Sequence, residues 1–99
     1  MINHVVTFRF KGSDSERKEV AHLFREALLS LPDKIEVLRD IKVGINMNPI
    51  EDWDLTLIAT VDKLDDVATY SAHPAHQAAV KIIAPYKLDR ACVDFEMEE

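Results

Sequence analysis

Ile2-Asn3-His4-Val5-Val6-Thr7-Phe8-Arg9-Phe10 sends Ile2, His4, Val6, Phe8 and Phe10 one way and Asn3, Val5, Thr7 and Arg9 the other, which is the two-residue period of a β-strand. Gly12 closes this strand. Ser13 and Glu16 have the spacing of a capping box, and Val20, Leu23, Phe24, Ala27, Leu28 and Leu31 then recur at helical intervals, predicting an amphipathic helix that ends before Pro32. Alternation returns in Ile41, Val43, Ile45 and Met47, and a second strand reaches the turn at Asn48-Pro49. A third strand sets Trp53, Leu55, Leu57, Ala59 and Val61 against Asp54, Thr56, Ile58, Thr60 and Asp62.

Asp62 is placed to cap a short helix through Leu64, Val67, Ala68 and Tyr70, which His73-Pro74 interrupts. Pro74 suits a first helical position, so a further helix runs through Ala78, Ala79, Ile82 and Ile83 to Pro85. Leu88 to Met97 forms the last strand. The order β-α-β-β-α-β predicts an α+β, ferredoxin-like fold, with helices on one face of a four-stranded antiparallel sheet.

The 99 residues, 47% hydrophobic and 30% charged, suit one domain over residues 1–99 and have the balance of a soluble globular chain. The net charge of −6 argues against a nucleic-acid partner. Apolar runs such as Ala27–Leu29 and Ile82–Ala84 are far below the roughly 20 residues of a membrane span, and the first residues lack a secretory apolar run. A single cysteine, Cys92, excludes an internal disulfide and fits a cytoplasmic location.

In the ferredoxin-like order the first and third strands are central and the last lies beside the first. If Ile2, Val6, Phe8, Leu55, Leu57 and Ala59 face the helices, then Val5, Thr7, Thr56, Ile58, Val93 and Phe95 share the open face. An apolar cluster in mid-sheet predicts a covering layer, and a homodimer packed sheet on sheet through Val5, Ile58, Val93 and Phe95 supplies one. The same parity turns Leu88, Arg90, Cys92 and Asp94 toward the helices, where a buried Arg90 needs a carboxylate or a ligand unless the register slips.

The titratable residues that could carry chemistry gather at the helix break. Tyr70, His73 and His76 meet near a helix start, with His73 at the capping position and His76 in the first turn if Pro74 is the first helical residue; the dipole there disfavours imidazolium and keeps neutral rings available as bases, while a phenol can polarise a carbonyl. His4 lies on the apolar side of the first strand and needs a hydrogen-bond partner; His22 reads as a boundary residue of the first helix. His73 and His76 lack a cysteine or carboxylate at ligand spacing, so no metal is assigned. Cys92 reads as a small buried apolar residue with no base beside it.

Three segments, Ile2 to Lys11, Tyr70-Ser71-Ala72-His73-Pro74-Ala75-His76 and Val93-Asp94-Phe95, resemble the stress-responsive dimeric α/β-barrel (Dabb) family over nearly the whole chain. The resemblance implies ferredoxin-like units that dimerise through their sheets. Most members have no established activity, but the family includes a plant polyketide cyclase that performs an intramolecular aldol condensation with retention of a carboxylate. Its pocket lies between sheet and helices with a Tyr and a His as the working pair. By that resemblance Tyr70 and His76 match the pair, and His4 and His73 match supporting residues. Val6, Phe8, Leu55, Leu57, Arg90 and Cys92 complete the expected lining. A third-strand histidine of the cyclase corresponds to Leu55, a departure that argues against an identical reaction.

Three functions fit these residues, all without an assigned cofactor. In the first, His76 removes a proton α to a carbonyl, Tyr70 holds the enolate oxygen and Arg90 an anionic end. In the second, a ligand-binding or stress-protection homodimer holds an apolar ligand in the same pocket without turnover; a small carbonyl-containing ligand belongs to the first. In the third, the chain is a barrel monooxygenase, which is placed last because no axial-ligand context supports haem.

Overall fold

The computed structural model describes residues 1–97. Its elements are β1 (Ile2–Phe10), α1 (Asp14–Leu29), a 3-10 turn (Leu31–Asp33), β2 (Asp40–Ile45), β3 (Leu55–Val61), α2 (Asp65–Ala72), α3 (Pro74–Ile83) and β4 (Lys87–Glu96). The sheet is antiparallel in the order β2-β3-β1-β4, as the ferredoxin-like pattern requires.

Local chemistry sets the boundaries. Gly12, at a φ of 122°, turns the chain out of β1 in a backbone region that side chains rarely adopt. Ser13 Oγ accepts from the Glu16 amide, and Glu16 Oε1 accepts from the Ser13 amide, so both donors at the start of α1 are satisfied. Pro74 opens α3, and the His73 Nδ1 accepts from the Ala75 amide at 3.0 Å.

The core lies between the sheet and the helices. Val6, Phe8 and Phe10 of β1 and Leu55, Leu57, Ala59 and Val61 of β3 pack against Phe24 and Leu28 of α1, Tyr70 of α2 and Ile83 of α3. Ile35 and Leu38, in the loop before β2, are also buried, with Val37 packed partly against the same core.

Several expected positions differ. Asp62 does not cap α2; Leu64 occupies the cap without a side-chain bond, while Asp62 accepts from Arg39, with Nη2 at 2.7 Å. Met47 and Trp53 fall outside β2 and β3 and Met47 is exposed, because the strand register ends at Ile45 opposite Leu55. Asp54, just before β3, instead accepts from the Phe10 amide and from Arg17. Leu23 and Leu64 project into water, so the buried stripes of α1 and α2 are narrower than the count of apolar residues suggests.

β4 departs most. It is an edge strand that the helices leave uncovered, and all of it is exposed. Its pairing with β1 steps between Arg9 and Phe10: Arg9 faces Asp89 and Phe10 faces Lys87, leaving Leu88 as an extra residue. Arg90 is therefore not a buried charge beneath helices, and the parity that joined Leu88 to Arg90 is broken at the bulge.

Candidate functional site

Under α2 and α3 the core is incomplete. A cavity of about 200 Å³ is lined by His4, Val6 and Phe8 from β1, Leu57 from β3 and Phe24 from α1. Tyr70 and Ser71 close it from α2, His76, Gln77, Val80 and Ile83 from α3, and Lys87 and Arg90 from β4.

Tyr70 is fully buried and its hydroxyl has no hydrogen-bond partner among the described residues. Leaving such a group unpaired costs about 1–3 kcal/mol, so its persistence beside a cavity calls for a ligand or water. Burial alone pushes the phenol well above its ordinary value and keeps it a proton-bearing donor. Its ring lies 4.6 Å from that of His76 and 5.9 Å, edge-on, from that of His4.

His76 Nδ1 lies 2.9 Å from the Ser71 carbonyl. A carbonyl only accepts, so Nδ1 carries the proton and Nε2 of the neutral ring keeps its lone pair. Burial lowers the His76 pKa below 6.5; the Ser71 bond acts in the opposite direction, and the electrostatic influence of His4 and Arg90 adds to the lowering. The neutrality expected from the helix dipole therefore has a different main cause, which is loss of water around the ring.

His4 finds the partner its buried position demands: Nδ1 lies 2.5 Å from Asp94 Oδ1, so the carboxylate fixes the Nδ1–H tautomer. Sequence reasoning missed this pairing, although Asp94 shares the helix-facing parity of the strand beside β1. Cys92, expected to be a buried apolar residue, is exposed, with Sγ 3.5 Å from His4 Nδ1. Partial desolvation, and then the Asp94 carboxylate, raise its pKa.

The structure brings together His4, Val6, Phe8, Leu57, Tyr70, His76 and Arg90. It leaves out three residues of the expected lining. His73 is occupied as the cap of α3, Leu55 is packed in the core, and Cys92 lies beside His4 rather than on the cavity wall. Phe24, Val80 and Lys87 are lining residues that the sequence did not single out. Lys87 and Arg90 have no ion-pair partner among the described residues.

A wider groove of about 830 Å³ runs past Arg9, Arg17, Trp53 and Asp54. Its arginines are already paired, Arg9 with Asp89 and Arg17 with Asp14 and Asp54, and no histidine or tyrosine lines it. The smaller cavity is the candidate site.

Sheet order, helix placement and cavity together define a ferredoxin-like α+β protein that keeps titratable groups beneath its helices. The chain belongs to the stress responsive A/B barrel domain (Dabb) family, whose model it matches over residues 2–97. A dimeric protein of unknown function and ferredoxin-like fold from Bacteroides fragilis is 46% identical, with 97% of this chain and 95% of that chain covered and a TM-score of 0.93. A dimeric ferredoxin-like protein of unknown function from Thermobifida fusca is 30% identical over 97% of this chain and 90% of that chain, with a TM-score of 0.77. An antibiotic biosynthesis monooxygenase shares the fold, with a TM-score of 0.77 at 13% identity and both chains fully covered (100% and 100%). No curated protein matches the chain. Among the described residues no helix is long and apolar enough to cross a membrane.

Proposed function

We propose that the protein is a homodimer in which each copy holds a small carbonyl compound beneath α2 and α3 and moves a proton at the carbon next to the carbonyl. One observation carries this reading: Tyr70, whose buried hydroxyl has no partner among the described residues, packs its ring against that of a neutral His76 whose Nε2 has no hydrogen-bond partner among them either. An acid-side donor and a base in one apolar-walled cavity are what enolisation needs.

His76 Nε2 takes the α-proton, the C–H electron pair becomes the enolate double bond, and negative charge collects on oxygen. Tyr70 donates a hydrogen bond to that oxygen and retains its proton, because burial keeps the phenol a weak acid. Val6, Phe8 and Leu57 exclude water, which strengthens both interactions. Lys87 and Arg90 suit a carboxylate end on the ligand. At about 200 Å³ the cavity is below the roughly 300–1,000 Å³ of drug-sized sites, so the ligand is small.

The dimer reading rests on the open sheet face and on the dimeric relatives. Val5 pairs across the sheet with Ile58 and Val93, while Phe95 lies opposite Asn3. Polar groups on this face bond sideways, Thr7 Oγ1 to Thr56 Oγ1 and Thr60 Oγ1 to Asn3 Oδ1, both at 2.9 Å, which leaves the face ready for a dry contact. The exposed free thiol of Cys92 fits a reducing compartment such as the cytoplasm.

Deuterium exchange of α-protons, followed by NMR for 1,3-dicarbonyl compounds with and without a carboxylate, tests the chemistry. The parent should exchange them about 10²–10⁴-fold faster than His76→Ala. Equal exchange in the two proteins removes the catalytic reading. A small molecule retained in native mass spectrometry, without such exchange, selects the reading in which the same cavity binds and does not turn over.

A further inference from the structure

His4 also takes part in a second constellation, formed on its Nδ1 side. Pairing of β1 with β4 sets His4 opposite Asp94 and Val6 opposite Cys92, which places the His4, Cys92 and Asp94 side chains on the helix-facing side of adjacent strands. His4 Nδ1 lies 2.5 Å from Asp94 Oδ1 and 3.5 Å from Cys92 Sγ, and that sulfur lies 3.9 Å from the same carboxylate oxygen. The three donor atoms, one nitrogen, one sulfur and one oxygen, fall within 4.8 Å of one another.

A nucleophilic relay would bind the carboxylate at one imidazole nitrogen and the thiol at the other. In this protein both converge on Nδ1, and a single N–H can serve only one of them well. Convergence on one point is the arrangement that a cation satisfies. We infer that His4, Cys92 and Asp94 form a binding site for a divalent transition metal of the zinc type.

The donor set gives the class of metal. Thiolate and imidazole favour zinc or cobalt over magnesium or calcium, which take oxygen ligands. Ordinary zinc–ligand lengths in a tetrahedron separate nitrogen from sulfur, and sulfur from oxygen, by about 3.5 Å, and nitrogen from oxygen by about 3.3 Å. The nitrogen–sulfur distance already matches; the nitrogen–oxygen contact opens as the cation replaces the shared proton. Cys92 is exposed and the Asp94 side chain is 31% exposed, so the site has an entry path and room for water as a fourth ligand. On binding, the Cys92 thiol proton leaves to solvent and the His4 proton moves from Nδ1 to Nε2, so one proton is released per cation. The site shares His4 with the cavity wall but uses neither Tyr70 nor His76, so its test does not depend on the proton-transfer reading.

The test is titration of the full chain with Co²⁺, read by the thiolate-to-cobalt charge-transfer band and the visible bands of four-coordinate cobalt, followed by calorimetry with Zn²⁺. One cation per chain is expected. Cys92→Ser, at an exposed position and with its fold checked by circular dichroism, should lose the charge-transfer band and weaken Zn²⁺ binding by more than the about 10–100-fold that an outer-shell partner contributes. Asp94→Asn should weaken Zn²⁺ binding while keeping the charge-transfer band. Absence of that band in the parent, or equal Zn²⁺ affinity in the parent and Cys92→Ser, overturns the inference and assigns any uptake to other histidines such as His22 or His73.

Discussion

The two faces of β1 carry alternate side chains of one strand and meet opposite fates. His4, Val6, Phe8 and Phe10 are buried under helices of their own chain, whereas Asn3, Val5, Thr7 and Arg9 are only half covered. On the helix side nearly every demand is met locally: His4 has Asp94, and the Phe8 ring packs edge-on to Phe24 at 5.6 Å. The exception is the Tyr70 hydroxyl. On the open side the polar groups are satisfied and the apolar ones are not, since Val93 and Phe95 remain 62% and 46% exposed. An unmet polar demand asks for a small ligand, while unmet apolar area asks for another protein surface.

The largest expected effect lies on the open face. Ile58→Lys places an ammonium in the centre of the proposed contact, and two-fold symmetry does so twice, at several kcal/mol for each unpaired buried charge. Light scattering should report a monomer; a dimer of undiminished affinity would break the contrast between the faces. Next, on the helix side, Phe24→Ala should cost about 3–5 kcal/mol in urea unfolding, because the ring is 1% exposed and leaves a void against Phe8. A loss of only about 0.5 kcal/mol, the scale of a surface change, would show that this layer is not the rigid one.

Tyr70→Phe sharpens the comparison with a change of sign. Removing an unpaired hydroxyl should leave stability unchanged or raise it by up to about 1–3 kcal/mol, while α-proton exchange falls about 10²–10³-fold. A clear loss of stability would mean that the hydroxyl is satisfied within the fold. The smallest effect concerns pH. The folded pKa of His76 is below the unfolded value of 6.5, so as pH falls through 6.5 the unfolded chain takes up the proton first and folding stability declines until the folded value is passed. The base form fails over the same lower range, so the acid limb of exchange should inflect below 6.5, the ordinary histidine value. An inflection above it would mean that burial is not the dominant influence.

Most of the fold was legible in single residues and periods. Alternation through β1, Ser13 with Glu16, and Pro74 after His73 each fixed an element whose local chemistry agrees with its packing. Tyr70, His76 and His4 were legible as site residues because polar rings on apolar parity need an explanation. What was not legible lies between distant strands. Asp94 and Cys92 stand 90 and 88 residues from His4, and their contacts depend on the register of β1 against β4. The exposure of β4 was hidden for a related reason: parity tells which way a side chain points, not whether a helix lies above it. The role of His73 was ambiguous in kind, since a histidine before a helix can cap it or face a cavity, and the Ala75 amide takes it as a cap.

The irregularity at Leu88 has a further effect. Side chains three positions apart on an even strand leave opposite faces, yet Lys87 and Arg90 reach the same cavity because Phe10 pairs with Lys87 and Phe8 with Arg90. Ironed flat, the strand would set Leu88 against Phe10 and swing the ammonium away, exchanging it for an isobutyl group without altering one letter of sequence. How many positive groups greet an approaching anion is thus decided by backbone spacing rather than by residue inventory.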